Sequence, residues 1–333
     1  MFKKIGKIAL LDTAILALLV IGTRLATVLH EILGHGLMTI IYGGKFNGFY
    51  ITYFGGGFAY TEGGESFLSI FGGILLNLFL ACMTLCIIVM LRKRISASFY
   101  AALLVFFGIN SIGGLEYAVT SSYYRYGDAF YAEKIIGHIG IFWIPAMILI
   151  AAMSLVFLKL YADFISGYFG REGPFGRILY TVITLGVSLA AYGFLLYAVP
   201  EPLAQADARS EYKNEVIEQI KETKKNKLEL ERIKEILSRI SKGEGVPEEL
   251  RKPVDAGKIK VSEKETAEAM PFPVEAALLA IYAASMTAAA FVKYRIGLQV
   301  DFTRKPGNKT TALLVITALL FLAAIFLLNG NFG

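Results

Sequence analysis

The sequence predicts an all-α polytopic membrane protein of about seven transmembrane helices, with a short β-hairpin after the first helix and a helical extramembrane insert. Three observations carry this. Hydrophobic residues make up 56% of the 333. Apolar stretches of roughly 20 residues, enough to cross a bilayer as a helix, recur along the chain. One segment, 200–272, breaks from this composition toward Glu and Lys. The formal charge of +6 points to no nucleic-acid partner, because the basic residues sit in short loops between spans, where they set orientation.

Spans are expected near 8–28, 66–91, 97–117, 139–160, 178–199, 273–292 and 311–329, the first helix running on to about 42. The chain then divides into a membrane-embedded core at 1–199, the insert at 200–272 and a C-terminal pair of helices at 273–333. Lys3, Lys4 and Lys7 precede the first span; Arg92, Lys93 and Arg94 follow the second; Arg171 and Arg177 follow the fourth; Lys293, Arg295, Arg304 and Lys305 follow the sixth. These clusters alternate, so the positive-inside rule puts the N-terminus in the cytoplasm of a cell-membrane protein and the insert and C-terminus outside. The Lys-rich start resembles a secretory signal, but Asp12 interrupts it and no small-residue cleavage site follows, so a retained anchor is expected.

Between the first two spans, Phe46 to Glu62 alternates aromatic and small residues around Gly55, Gly56 and Gly57, the pattern of a β-hairpin at the membrane surface. An exposed strand edge there would hold a substrate in extended form; an interfacial aromatic belt accounts for the same residues. Cys82 and Cys86, four apart on one helix, are read as packing residues that form no disulfide. Asn308-Lys309-Thr310 matches a glycosylation acceptor but falls on the expected cytoplasmic side, which makes it a chance match. In the insert, Ile217, Ile220, Leu230, Ile233, Leu237 and Ile240 recur at helical spacing, and Gly243 to Pro247 ends the pattern.

The chemistry sits in Leu29-His30-Glu31-Ile32-Leu33-Gly34-His35-Gly36-Leu37. Ionisable groups inside an apolar run are costly and mark function, and two of the chain's three histidines fall here. Zinc hydrolases take three protein ligands, leave one position for water and use a nearby glutamate as base. His-Glu-x-x-His supplies two ligands and that base from one helix, but here the histidines are five apart. In a regular helix a five-residue step turns side chains about 140° from one another. Two remedies are open: a π-bulge around Ile32 to Gly34 that brings both histidines to one face, or sharing of the metal by Glu31 and His35, with His30 in another role. The bulge leaves Glu31 free, and Gly34 tolerates the distortion.

With Gly43-Gly44, the run Gly55 to Thr61, Gly72-Gly73 and Asn77 in an apolar helix, the segment from about 20 to 140 resembles the site-2 protease type of intramembrane zinc metalloprotease. The later Gly127-Asp128-Ala129 resembles the motif of a compact branch of that family. The resemblance implies Asp128 as third zinc ligand and Asn110 as a substrate contact. His138, ten residues beyond, is the rival third ligand on zinc chemistry, and Glu116 and Arg125 are candidate partners that orient the ligands. The expected function is hydrolysis of a peptide bond in or near the transmembrane segment of a bilayer-embedded substrate, with Zn2+ as cofactor and Glu31 catalytic. A catalytically inactive partner-binding scaffold of the same fold, favoured by the odd spacing, and a metal transporter are the alternatives.

Overall fold

The computed structural model describes residues 2–51, 56–91, 94–124, 127–170, 173–198, 274–291 and 308–329. They belong to one unit, formed from Met1–Val199 and Met270–Gly333. The helical reading of 200–272 falls outside the described residues, as do Gly55 and Arg125.

The chain opens with α1 (Phe2–Leu29), which passes without a break into a π-helical segment (His30–Gly36) and then α2 (Leu37–Ile41). The hairpin follows as β1 (Lys45–Ile51) and β2 (Gly57–Glu62). The strands are antiparallel, Lys45 pairing with Glu62 and Ile51 with Gly57, with a bulge between Phe46 and Gly48. Next come α3 (Phe67–Leu91), α4 (Ala97–Gly108), a second π-helical segment (Ile109–Gly113), α5 (Gly114–Tyr123), α6 (Gly127–Ile136), α7 (Trp143–Phe169), α8 (Pro174–Ala198), α9 (Val274–Phe291) and α10 (Asn308–Asn329).

Five helical stretches among the described residues are long and apolar enough to cross a membrane: Ile5–Ile41, Phe67–Leu91, Ala97–Tyr123, Trp143–Phe169 and Phe175–Leu196. The expected count of seven therefore stands at five, plus two shorter apolar helices, Ala276–Ala289 and Lys309–Leu320. The fourth span starts at Trp143 rather than 139, because Gly137 and Gly140 take φ of 81° and 83° and break the helix before it.

The main core joins α1, α3, α4 and α7 through Leu11, Ile15, Ala81, Ile88, Tyr100, Leu104, Phe107, Phe157, Tyr161 and Phe164. Outward faces are also apolar: Phe79 and Met90 of α3, Ile144 and Ile148 of α7, and Phe175 and Phe194 of α8 are exposed, as expected where lipid replaces water. Cys82 and Cys86 share that outer surface of α3 rather than packing in the core. Lipid offers no hydrophobic force between helices, so close approach of small residues and polar contacts must hold them together. An example of the latter is Lys159, which lies 2.6 Å from Asp163 on α7, with Arg177 of α8 at 3.9 Å from the same carboxylate.

Candidate metal centre

The five-residue spacing is absorbed by backbone geometry. From His30 to Gly36 the helix is π-helical, a longer distortion than the one around Ile32 to Gly34 that the spacing called for. Because i→i+5 bonding stacks residues five apart, the two imidazoles meet: the rings lie 4.9 Å apart at 69°, and the two Nε2 atoms are 3.1 Å from each other. Asp128, in the first turn of α6, completes the group. Its Oδ2 is 3.0 Å from His30 Nε2 and 3.1 Å from His35 Nε2.

α3 holds both histidines with one face. Ser69, Gly73 and Asn77 stand four residues apart, which aligns them along the helix. The carbonyl of Ser69 accepts from His35 Nδ1 at 2.8 Å. Asn77 meets His30 Nδ1 at 3.1 Å. Between them, a Cβ placed on Gly73 would fall into the His30 ring, so that ring lies flat on bare backbone. Gly34, in the π-helical segment, makes the matching approach, since its Cβ would collide with the backbone of Gly72 and Gly73. Ser66 and Ser69 fix the start of α3, Ser69 N–H donating to Ser66 Oγ at 3.0 Å and Ser66 N–H to Ser69 Oγ at 2.8 Å.

Asp128 is set from two directions. Gly127, at φ 69°, turns the chain into α6 against Tyr117, and the Asp128 N–H donates to the Tyr117 hydroxyl at 3.4 Å. At the other end of α6, Glu133 is 0% exposed and accepts from the Ser122 hydroxyl of α5 and from the Phe142 N–H at 3.2 Å. Trp143 Nε1 in turn donates to Ser122 Oγ at 2.7 Å.

The donor set fits zinc. Zinc bonds of 2.0–2.1 Å put neighbouring tetrahedral ligands about 3.3 Å apart, close to the triangle that these three atoms form. His35 Nδ1 can reach a carbonyl only as N–H, which in the neutral ring leaves its Nε2 a bare lone pair. That lone pair, a second ring nitrogen and a carboxylate oxygen at such distances call for a positive charge among them, a metal ion or, in the metal-free protein, an added proton. In the metal-free protein, burial opposes the charge on Asp128, but hydrogen bonds from His30 and His35 outweigh it and hold the carboxyl well below the usual carboxylate range.

Other expected site residues fall in different places. Glu31 is buried on the π-helical segment, within electrostatic reach of both histidines and Asp128, and no side-chain hydrogen bond joins it to another described residue. His138 is exposed beyond the end of α6 and is not one of the converging ligands. Asn110 is 0% exposed and donates to the Phe106 carbonyl of its own helix at 2.9 Å, while its Oδ1 is buried without a hydrogen-bond partner. Glu116 accepts from the Tyr282 hydroxyl of α9 at 3.1 Å and ties down that helix. Gly56 precedes β2, and Gly57, its first residue, lies against Tyr50, Ile51 and Thr27. The polar face of α3 was the feature not used as such in the sequence, although Ser69, Gly73 and Asn77 at four-residue steps in an apolar helix are a readable signal.

His30, His35 and Asp128 thus converge, as a group that could hold a metal ion, among helices long and apolar enough to cross a membrane. Residues 6–110 match the family model described as Peptidase M50B-like, and over that stretch the chain is similar to the site-2 protease family. Asp128 lies beyond the matched residues. Comparison with curated proteins gave no match, and neither did comparison with solved structures.

Proposed function

We propose that the chain is an intramembrane zinc metalloprotease that hydrolyses a peptide bond in or near the transmembrane segment of another membrane protein. The observation that carries this is the convergence of His30 Nε2, His35 Nε2 and Asp128 Oδ2 at 3.0–3.1 Å, on a helix that also bears Glu31. His30, His35 and Asp128 would hold the ion, Asp128 in the Gly-Asp-Ala motif of the compact branch. Zinc there would supply Lewis acidity, polarising a peptide carbonyl and acidifying water. Glu31 takes the proton of the attacking water and passes it to the leaving amine.

The hairpin is the substrate's seat in this reading. A transmembrane helix hides its peptide bonds in its own hydrogen bonds, so its cleavage needs an extended stretch, and a strand edge beside Gly56 and Gly57 would hold one. Both strands pack against the π-helical segment, which supports that reading. The loop charges support an N-terminus in the cytoplasm and a site reached from the outer face of a cell membrane. The π-helical segment removes the spacing argument that favoured an inactive scaffold. Among the described residues there is no second ligand cluster along the spans.

The test is a set of three proteins, wild type, Glu31→Gln and His35→Ala, each assayed for zinc and for cleavage of a doubly labelled single-span protein co-reconstituted in liposomes. Wild type should hold about one zinc and cut. Glu31→Gln should keep the zinc and lose roughly 10²–10⁴-fold in rate; His35→Ala should lose both. Cleavage that survives Glu31→Gln, or wild type free of zinc after chelator-free purification, would overturn the proposal.

A further inference from the structure

Resting on the metal-centre reading, we infer that Asn77 is a positioning residue that sets the tautomer of His30 and so aims the Nε2 lone pair at the metal. Three observations carry it. Asn77 Nδ2 sits 3.1 Å from His30 Nδ1, while Asn77 Oδ1 is buried with no hydrogen-bond partner. A buried amide oxygen without a partner is costly, and the two ends of an Asn amide are distinguished only by the hydrogen bonds they make. Turning the amide over pairs Oδ1 with His30 Nδ1–H and puts Nδ2 in the place that Oδ1 held. His30 then carries its proton on Nδ1, as His35 does toward the Ser69 carbonyl, and both Nε2 atoms present lone pairs beside Asp128.

The surroundings are cut to this contact. Gly114 of α5 lies against Asn77: a Cβ there would stand 3.0 Å from Asn77 Cβ and 3.2 Å from Nδ2, tighter than ordinary packing. Gly73, one turn before Asn77, seats the His30 ring. Asn77 therefore has room for its amide and little else, and its partner ring is held at a fixed height. Metal-ligating histidines generally donate their second nitrogen to an acceptor, and loss of that acceptor costs 10–100-fold in metal affinity.

The two amide orientations give opposite forecasts for a pair of variants, Asn77→Leu and Asn77→Asp. A carboxylate accepts from Nδ1–H as Oδ1 would; it cannot donate to a bare Nδ1. We expect zinc and cobalt affinity, measured by competition with a chromogenic chelator, to fall 10–100-fold in Asn77→Leu and to stay within a few-fold of wild type in Asn77→Asp. Nitrogen NMR of imidazole-labelled metal-free protein gives a readout independent of metal and activity, helped by a chain with only three histidines. His30, assigned by its loss in His30→Gln, should be protonated at Nδ1 in wild type and lose that preference in Asn77→Leu. Asn77→Asp binding as weakly as Asn77→Leu, Asn77→Leu binding as tightly as wild type, or a His30 protonated at Nε2 alone would each overturn the role given to Asn77. Wild type that binds no zinc would instead overturn the metal centre itself, and this inference with it.

Discussion

Gly73→Ala is the smallest change that reaches the metal centre without altering any group that would bind or react. The added Cβ would stand 2.5 Å from His30 Cε1 and 2.6 Å from Cδ2, and closer still to Nε2. Carbon atoms rest comfortably at about 3.5–4.0 Å, so the ring must retreat by roughly 1 Å or α3 must move away. α3 cannot move freely, because Gly72 and Gly73 are in backbone contact with Gly34, and the ring cannot retreat without opening a ligand triangle whose edges are 3.0–3.1 Å. Overpacking of this kind costs about 1–3 kcal/mol, and misplacing a reacting group by about 1 Å costs about 100-fold in rate.

The assay is zinc content and liposome cleavage of Gly73→Ala beside Gly186→Ala, since a Cβ on Gly186 of α8 meets nothing within 4 Å. Gly186→Ala should bind and cut like wild type and melt slightly higher, because alanine favours a helix by roughly 0.5–1 kcal/mol over glycine. Gly73→Ala should lose most of its zinc and at least about 100-fold in rate, with a melt lowered by a few degrees. A Gly73→Ala protein with full zinc and normal turnover would refute the claim that the ring is seated on bare backbone.

Two further outcomes concern Asp128. Removing Glu133, which holds the far end of α6, should loosen that helix: Glu133→Ala leaves the Ser122 hydroxyl and the Phe142 N–H without their acceptor, a loss of about 2–6 kcal/mol at ~1–3 for each buried donor left unsatisfied, read as faster hydrogen exchange across 127–142 and weaker zinc binding. The pH dependence has a definite sign. The carboxyl of Asp128 is lowered in the folded, metal-free protein, so its stabilisation is fully present above the ordinary aspartate value of about 3.9 and is lost only as pH falls through the lowered one. Asp128→Asn should therefore depress the metal-free Tm at pH 5 no less than at pH 7; a deficit that shrinks already at pH 5 would contradict the assignment.

The spans were legible because hydropathy over a bilayer's thickness is a strong signal, and the hairpin because aromatic and small residues alternate between turn glycines. The first π-helical segment was legible for a different reason: a ligand pair has a phase, so His30 and His35 at five residues report an extra residue in the turn. The second, Ile109–Gly113, carries no such pair, and nothing in its residue pattern marks the change. Helix α6 was missed because its ten residues are too short and too mixed to register as a span, although it carries Asp128. Asn110 stood out because an amide in an apolar run reads as functional by default; here its Nδ2 bonds back to its own helix.

Intramembrane charge alone does not mark chemistry, and this chain shows why with two clusters. Lys159, Asp163 and Arg177 form a group that brings its own cations: one carboxylate faces two basic side chains, every member has a partner, and the arrangement pins α7 to α8. His30, His35 and Asp128 bring the reverse. One imidazole is committed by its Nδ1 bond to the Ser69 carbonyl, the other is met at Nδ1 by Asn77, and both turn their remaining nitrogens on a carboxylate oxygen. A neutral imidazole has one proton to give; once Nδ1 spends it, the three converging atoms are all acceptors. Such a group persists in a low-dielectric interior only by recruiting positive charge, a metal ion or, in the metal-free protein, a proton on an Nε2 that then donates to Asp128. The distinction lies in where the second nitrogen of each histidine is bound, and that is decided by α3.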